Sequence, residues 1–396
     1  MSKPAASARF LARESPAKLQ VARSEGSVLY DSAGRKYIDF VMGWCVGNFG
    51  WGAAAATRAV ERYSGPDYVY PGYTYAPWHE LAALLVALAP RGLTKAYRAT
   101  GGSEAVDLAL QAAMVHTGRK RFLSLEESYH GNTIGALSVA ASENRERCRN
   151  LLAGCDRIKA PLDAKKLGAV EQRLKRRETA AVIMEPVSIN LGVMVPDAFF
   201  MSGLQRLCRR YGTLLVMDEV ASGFGRTGKQ FACEHYDLTP DVMCIAKAVT
   251  AGVMPMGAML STDAIAKSMQ DGNAYSTYGW HPRSVAAALA TLRYVERHRE
   301  RLLERVMKTS GYFEERLLAM RIGARAEVRV KGLAIALELE RPADASDLQK
   351  RCRKAGLLVT AEDSVVLLLP ALTIDRATAA AGLDILESCL RRRAGA

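Results

Sequence analysis

Between Thr213 and Gly257 the chain reads TLLVMDEVASGFGRTGKQFACEHYDLTPDVMCIAKAVTAGVMPMG, and this stretch restricts the fold more than any other. Leu214-Leu215-Val216-Met217 runs without polar interruption into Asp218-Glu219, and Val242 to Ala246 does the same into Lys247. Unbroken apolar runs of this length suit strands covered on both faces, as in a parallel sheet. Open α/β sheets bind their ligands at the carboxyl ends of the strands. A carboxylate and an amine are therefore expected to project into one crevice from neighbouring strands.

A lone lysine at a strand end is ordinarily a solvated residue. An apolar wall and an acidic neighbour change what it can do. A lysine sheltered in this way is a nucleophile for Schiff-base chemistry, and an acidic residue can keep a pyridine nitrogen protonated, which together suit pyridoxal 5'-phosphate. Lys247 takes the first role and Asp218 the second. Three segments then resemble the signature of the class III pyridoxal phosphate aminotransferases, the ω-aminotransferase group: DEVASGFGRTG at Asp218 to Gly228, FACEH at Phe231 to His235, and PDVMCIAKAVTAG at Pro240 to Gly252. The resemblance implies the α/β architecture of fold type I. That is a large domain with a mostly parallel central sheet flanked by helices, and a small α+β domain built from the N- and C-terminal segments. It also implies that Lys247 forms the internal aldimine, that Asp218 pairs with the ring nitrogen, and that Val220 packs against one ring face.

Other candidate site residues fall on both sides of this stretch. KAYRATGGSEAVDLALQAA reads as a strand, a Gly-Gly turn and a helix with apolar residues at Ala105, Leu108, Ala109 and Ala112. Gly102, Ser103 and the free amides of the first helical turn make a phosphate site, and GSEA resembles the phosphate cup of the family. Glu104 also fits plain capping. RFLSLEESYHGNTIGALSV supplies a strand from Phe122 followed by Tyr129, His130, Gly131 and Asn132. An aromatic residue at a strand end can lie flat on a pyridine ring, and YHGNTIGALS resembles the family segment whose tyrosine does so. His130 goes with Tyr129 in the cofactor set. AAVIMEPVSINLGVMVP ends a buried strand at Glu185, which is expected to support the cofactor or hold neighbouring loops. STYGWHP resembles the loop whose threonine, here Thr277, reaches the cofactor phosphate of a partner subunit. Trp44 in VMGWCVGNFGWG and Asn132 are candidate substrate contacts, although Trp44 also fits an ordinary core tryptophan. Tyr68, Tyr70, Tyr73 and Tyr75 suggest an interface or a pocket rim. The family is a homodimer with shared active sites.

The remaining composition narrows the partners. With Lys plus Arg at 54 and Asp plus Glu at 41 the net charge is +13, which could attract an anionic partner. The excess is concentrated in RERCRN, RLKRR at Arg173 to Arg177, RLCRR at Arg206 to Arg210 and RRR at Arg391 to Arg393, without interleaved aromatics. These read as helix faces and a tail rather than a nucleic-acid motif. Eight cysteines occur without CxxC spacing and the six histidines are isolated, so reduced cysteines and no metal site are expected. No apolar run is long enough for a membrane span. MSKPAASARFLARESPAK lacks an apolar centre and reads as a loose arm, with a cytoplasmic enzyme following.

The expected division is 1–75 for the arm and part of the small domain, 76–282 for the cofactor-binding domain, and 283–396 for the rest of the small domain. Residues 142–179 read as charged surface helices. The chain departs from the ornithine and acetylornithine members of the family, which carry HGRT, EPxQGE and an arginine before PPL. Here Asn132, Ser188 with Asn190, and Leu367 stand at those places, and Ala221 replaces a glutamine. Arginine clamps are the usual means of holding a dicarboxylate, so their absence argues against a 2-oxoglutarate-linked ornithine type. The resemblance is closer to the diaminopelargonate and amine–pyruvate aminotransferases. The expected activity is ping-pong transfer of an amino group from an amine or amino acid to a keto acid or aldehyde. An isomerase or decarboxylase on the same cofactor is the alternative, and a basic nucleic-acid binder without cofactor is a third reading.

Overall fold

The computed structural model describes residues 19–141, 145, 147–270, 274–320 and 326–391. The N-terminal arm expected over 1–18, and two of the three arginines of the C-terminal run, lie outside the described residues. Strands β1 (Val21–Glu25), β2 (Val28–Asp31) and β3 (Lys36–Asp39) form an antiparallel meander. The turn between β2 and β3 closes through Asp31, whose Oδ1 accepts from the amides of Ala33 and Arg35 at 3.0 and 2.9 Å. The short strand Leu357–Leu358 adds to β3 in parallel, so the two ends of the chain share one sheet.

The central sheet has seven strands. In chain order they are β4 (Lys95–Ala99), β5 (Arg121–Leu125), β6 (Cys155–Ile158), β7 (Thr179–Met184), β8 (Leu214–Asp218), β9 (Val242–Ile245) and β10 (Gly257–Ser261). They lie in the order β4-β10-β9-β8-β7-β5-β6. Only β10 runs against its neighbours, pairing antiparallel with both β4 and β9. The apolar runs of the sequence become β7, β8 and β9, in which every residue is buried. Strand β6 went unforeseen, because Cys-Asp-Arg-Ile at a sheet edge is half polar and mostly only half-buried. The charged segment 142–179 thus contains an edge strand as well as the helix Ala164–Leu174.

Helix boundaries follow local chemistry. Asp197 caps the helix Ala198–Tyr211 by accepting from the amides of Phe199 and Phe200, and Gly212 ends it in the left-handed conformation. Arg206, Arg209 and Arg210 lie exposed on this helix, as a solvated face requires. The helix Pro282–Ala319 is 38 residues long and is interrupted at His298, where φ is −117°. It packs on the helices Ala54–Glu61, Ala76–Leu88 and Arg376–Arg391, and so joins the central sheet region to the terminal segments. The strand pair Ala326–Lys331 and Ala334–Leu339 continues into Val365–Leu368 and Thr360–Glu362 as a second antiparallel sheet. No described helix is long and apolar enough to cross a membrane.

Candidate active site

Asp218 is the last residue of β8 and pairs with Cys244 of β9, three residues before Lys247. The two strand ends are therefore neighbours, as expected. Lys247 is half-buried rather than fully buried, and it begins a single helical turn with φ of +50°. A side chain in this region costs on the order of 1 kcal/mol. Strain of this kind persists where the surroundings impose an orientation.

Asp218 is 3% exposed. Its Oδ1 accepts from the amide of Val220 at 3.0 Å, and its Oδ2 contacts Nδ1 of His130 at 2.7 Å. An ionised carboxylate only accepts, so Nδ1 is the donor. Nε2 of His130 and Oε2 of Glu185 are buried and have no hydrogen-bond partner among the described residues. Burial first, and then the negative charge of Asp218, push the Glu185 carboxyl well above the usual range against the pull of Lys247. Buried polar atoms are almost always satisfied, so an orphan on each of two residues that interact with Asp218 fits a polar ligand bound there.

The phosphate end is equally defined. The helix Gly102–Thr117 starts after an extended Gly101 with no side-chain cap, leaving its first amides without intrahelical acceptors. Glu104 turns back to accept from the amide and Oγ1 of Thr100 at 2.6 Å each, which fixes the turn ahead of the helix and leaves the helix's own first amides free. A Cβ on Gly102 would sit 3.0 and 3.2 Å from the Val220 methyls, and one on Gly131 (φ +130°) would sit 2.4 Å from Ser103 Oγ. Only glycine permits these approaches. Ser103 Oγ accepts from the amide of Asn132 at 3.2 Å, and the Asn132 side chain donates to the Tyr129 hydroxyl at 3.0 Å. Tyr129 is 44% exposed. The residues present fit pyridoxal phosphate: Gly102 and Ser103 could hold the phosphate, Tyr129 and Val220 the ring, Asp218 with His130 the ring nitrogen. Thr277 is exposed and makes no hydrogen bond among the described residues.

Trp280 supports this end in a way the sequence did not signal. Its indole donates to Gly257 O at 2.9 Å, and a Cβ on Gly257 would lie 2.5 Å from Gly101 O. Backbone blocks that space. Gly257→Ala is expected to lower stability by about 1–3 kcal/mol and to loosen the loop that carries Gly102. Thermal melting with and without added cofactor checks this, and a variant that melts with the parent and binds cofactor equally would refute it.

Trp44 lies in a left-handed turn, with φ of 47°, 58°, 57° and 69° from Met42 to Cys45. Three of these residues carry a Cβ, so the turn must be held by what surrounds it. Trp44 packs half-buried against an apolar cluster that includes Cys45, Ile189, Ala221 and Leu367. Asn190, which follows Ile189, is half-buried and donates to Glu127 O at 3.2 Å.

Glu219 was given no role by sequence reasoning, yet it is fully buried. It accepts from Ser222 Oγ at 2.6 Å and from the amide of Cys233 at 2.7 Å. Burial outweighs these bonds and pushes its carboxyl from 4.5 up to about 7. A raised carboxyl contributes stability that is complete below the unfolded value and is lost as pH rises through the folded one. Stability is therefore expected to fall by on the order of 3 kcal/mol between pH 4.5 and 7 from this group. Glu219→Gln should flatten that part of the profile, as melting temperature against pH would reveal.

A mostly parallel sheet that gathers a lysine, an acid–histidine pair and a glycine-led helix start at its strand ends defines a pyridoxal phosphate enzyme of fold type I. The family model for Aminotransferase class-III matches residues 10–390. The chain belongs to the class-III aminotransferase family. It is 34% identical over 372 residues to an acetylornithine aminotransferase of Methanosarcina mazei, covering 93% of this chain and 91% of that one. The [LysW]-aminoadipate semialdehyde transaminase of Deinococcus radiodurans is 33% identical over 330 residues, 80% of this chain and 73% of that one. Among solved structures, a PLP-bound amine transaminase from an uncultivated Pseudomonas species superposes with a TM-score of 0.87. Its identity is 32%, covering 97% of this chain and 98% of that one. These matches support amino-group transfer and give no support to the isomerase or decarboxylase alternative.

Arg226 and Asn48 were also missed. Both are fully buried, and neither an arginine between glycines nor a single asparagine carries a spacing that reports backbone partners.

Proposed function

We propose that this aminotransferase works through Lys247 and Asp218 on amino donors whose substituent is uncharged. The observation that carries the reading is the apolar cluster against which Trp44 packs, with Ala221 and Leu367 where polar or cationic residues are expected in ornithine-type relatives. Taking an unpaired carboxylate into such surroundings is costly. When bound, pyridoxal phosphate supplies an aldehyde that takes up amino groups and a ring that withdraws electrons from the reacting carbon. The Lys247 amine, held at a fixed backbone angle, takes a proton from that carbon and returns it. Asp218, oriented by His130 and the Val220 amide, keeps a proton on the ring nitrogen. Ser103 and the first amides of its helix neutralise the phosphate, Tyr129 and Val220 enclose the ring, and buried Glu185 supports the site from beside Asp218.

The boundaries near 75 and 282 and the homodimer belong to the same proposal. Exposed Tyr68, Tyr70, Tyr73 and Tyr278 support a subunit interface, with Tyr68 and Tyr278 ring centroids 5.9 Å apart. Thr277 beside them would serve the phosphate of the second copy, and a monomer in sedimentation would sink the shared site. Eight unpaired cysteines, six of them buried, suit a reducing cytoplasm.

Loss of the visible band of the bound cofactor on adding a donor reports the first half-reaction. Neutral primary amines are expected to bleach it faster than ornithine, N-acetylornithine or ω-amino acids. Faster bleaching by carboxylate-bearing donors would overturn the uncharged-donor reading. Bleaching by no donor at all would count against amino transfer itself.

A further inference from the structure

Arg226 is fully buried, and among the described residues no carboxylate is bonded to it. Its Nη1 donates to Leu333 O and to Pro370 O, both at 2.7 Å, and its Nη2 donates to Asn48 Oδ1 at 2.6 Å. Burial holds its guanidinium below the ordinary arginine value, and the thiol of Cys45 lies beside it. A buried charge without a counter-ion is costly, and only an arrangement of several well-aimed dipoles offsets it.

The three acceptors come from three distant stretches, and each carries part of the pocket wall. Asn48 follows the left-handed turn of Trp44 and Cys45, Leu333 precedes Ala334, and Pro370 follows Leu367 and Leu369. All of those wall residues belong to the one apolar cluster. The backbone repeats the connection: Leu333 N donates to Arg226 O at 2.9 Å and Leu372 N to Asn48 O at 2.7 Å. A Cβ on Gly332 would lie 2.4 Å from the carbonyl carbon of Thr227, so this junction has no slack. Arg226 itself sits in the loop that begins at Asp218.

We propose that Arg226 is a positioning residue that sets the shape of the donor pocket, by tying the Trp44 turn and the Leu333 and Pro370 segments to the loop after Asp218. The proposal rests on the reading of the Trp44 cluster as the donor pocket. A planar fork reaches three oxygens at once, and a lysine ammonium on the same path is a single point. Arg226→Lys and the milder Asn48→Ala test it in the cofactor-loaded enzyme, with kcat and KM measured for donors of increasing bulk. The cofactor band should persist in both variants, because neither touches Lys247 or Asp218. KM should rise roughly tenfold for bulky donors, stay near the parent for the smallest amine, and rise less in Asn48→Ala than in Arg226→Lys. If the variants melt earlier but keep the parent KM for every donor, Arg226 is a fold anchor only and the proposal fails. Should Arg226→Lys not fold, an unchanged donor profile in Asn48→Ala refutes it alone. If the parent reacts with no donor, the functional reading has failed and this one falls with it. Parent activity with changed variants separates the two.

Discussion

Lys247→Ala is expected to give a folded protein whose turnover is reduced by at least about 10⁴-fold, because in the proposed mechanism one amine serves as both nucleophile and proton carrier. Little stability should be lost, since Lys247 is half-buried. The positive φ of this position remains in the variant, so alanine bears the same backbone strain. The visible band of the cofactor bound through the lysine should be missing from the purified variant, and a small added amine should restore part of the proton transfer. Turnover within tenfold of the parent would remove Lys247 from the chemistry.

For Asp218→Asn the expected loss in kcat is roughly 10²- to 10³-fold, the scale seen when one oriented electrostatic group is removed from a reacting site. The substitution is nearly isosteric but replaces a charge that Val220 and His130 both hold in place. If the amide oxygen keeps the Val220 bond, its NH₂ faces His130 Nδ1, and the imidazole must take the other tautomer. Weaker cofactor retention should accompany the loss. Asp218→Glu tests geometry instead of charge, because an added methylene at a 3% exposed position is expected to cost about 1–3 kcal/mol. Asparagine retaining near-parent kcat would mean that the carboxylate does not serve the ring.

Both variants lie in the stretch from Thr213 to Gly257, where the sequence was most informative. Two apolar runs ending in charges announced two buried parallel strands, and β8 and β9 occupy those runs with Asp218 and Lys247 at their ends. The glycine pair before the helix Gly102–Thr117, the tyrosine after β5 and the acid after β7 were legible for the same reason. Each is a local pattern whose residues are neighbours in the chain.

Tertiary structure alone decided the rest. That β10 runs antiparallel and β6 forms the far edge depends on pairing between segments, and their own residues are too short or too polar to announce it. The left-handed turn at Trp44 and the positive φ of Lys247 are imposed by surroundings, against intrinsic preference. The elevated carboxyl of Glu219 arises from burial, which one sequence position does not encode. Arg226 finds its partners at 48, 333 and 370, a set that exists only once segments far apart in the chain have come together. What sequence determined were side-chain types and local periodicity, and these fix strands, caps and reactive groups. What folding decided were long-range neighbours, which set strain, desolvation and the shape of the pocket.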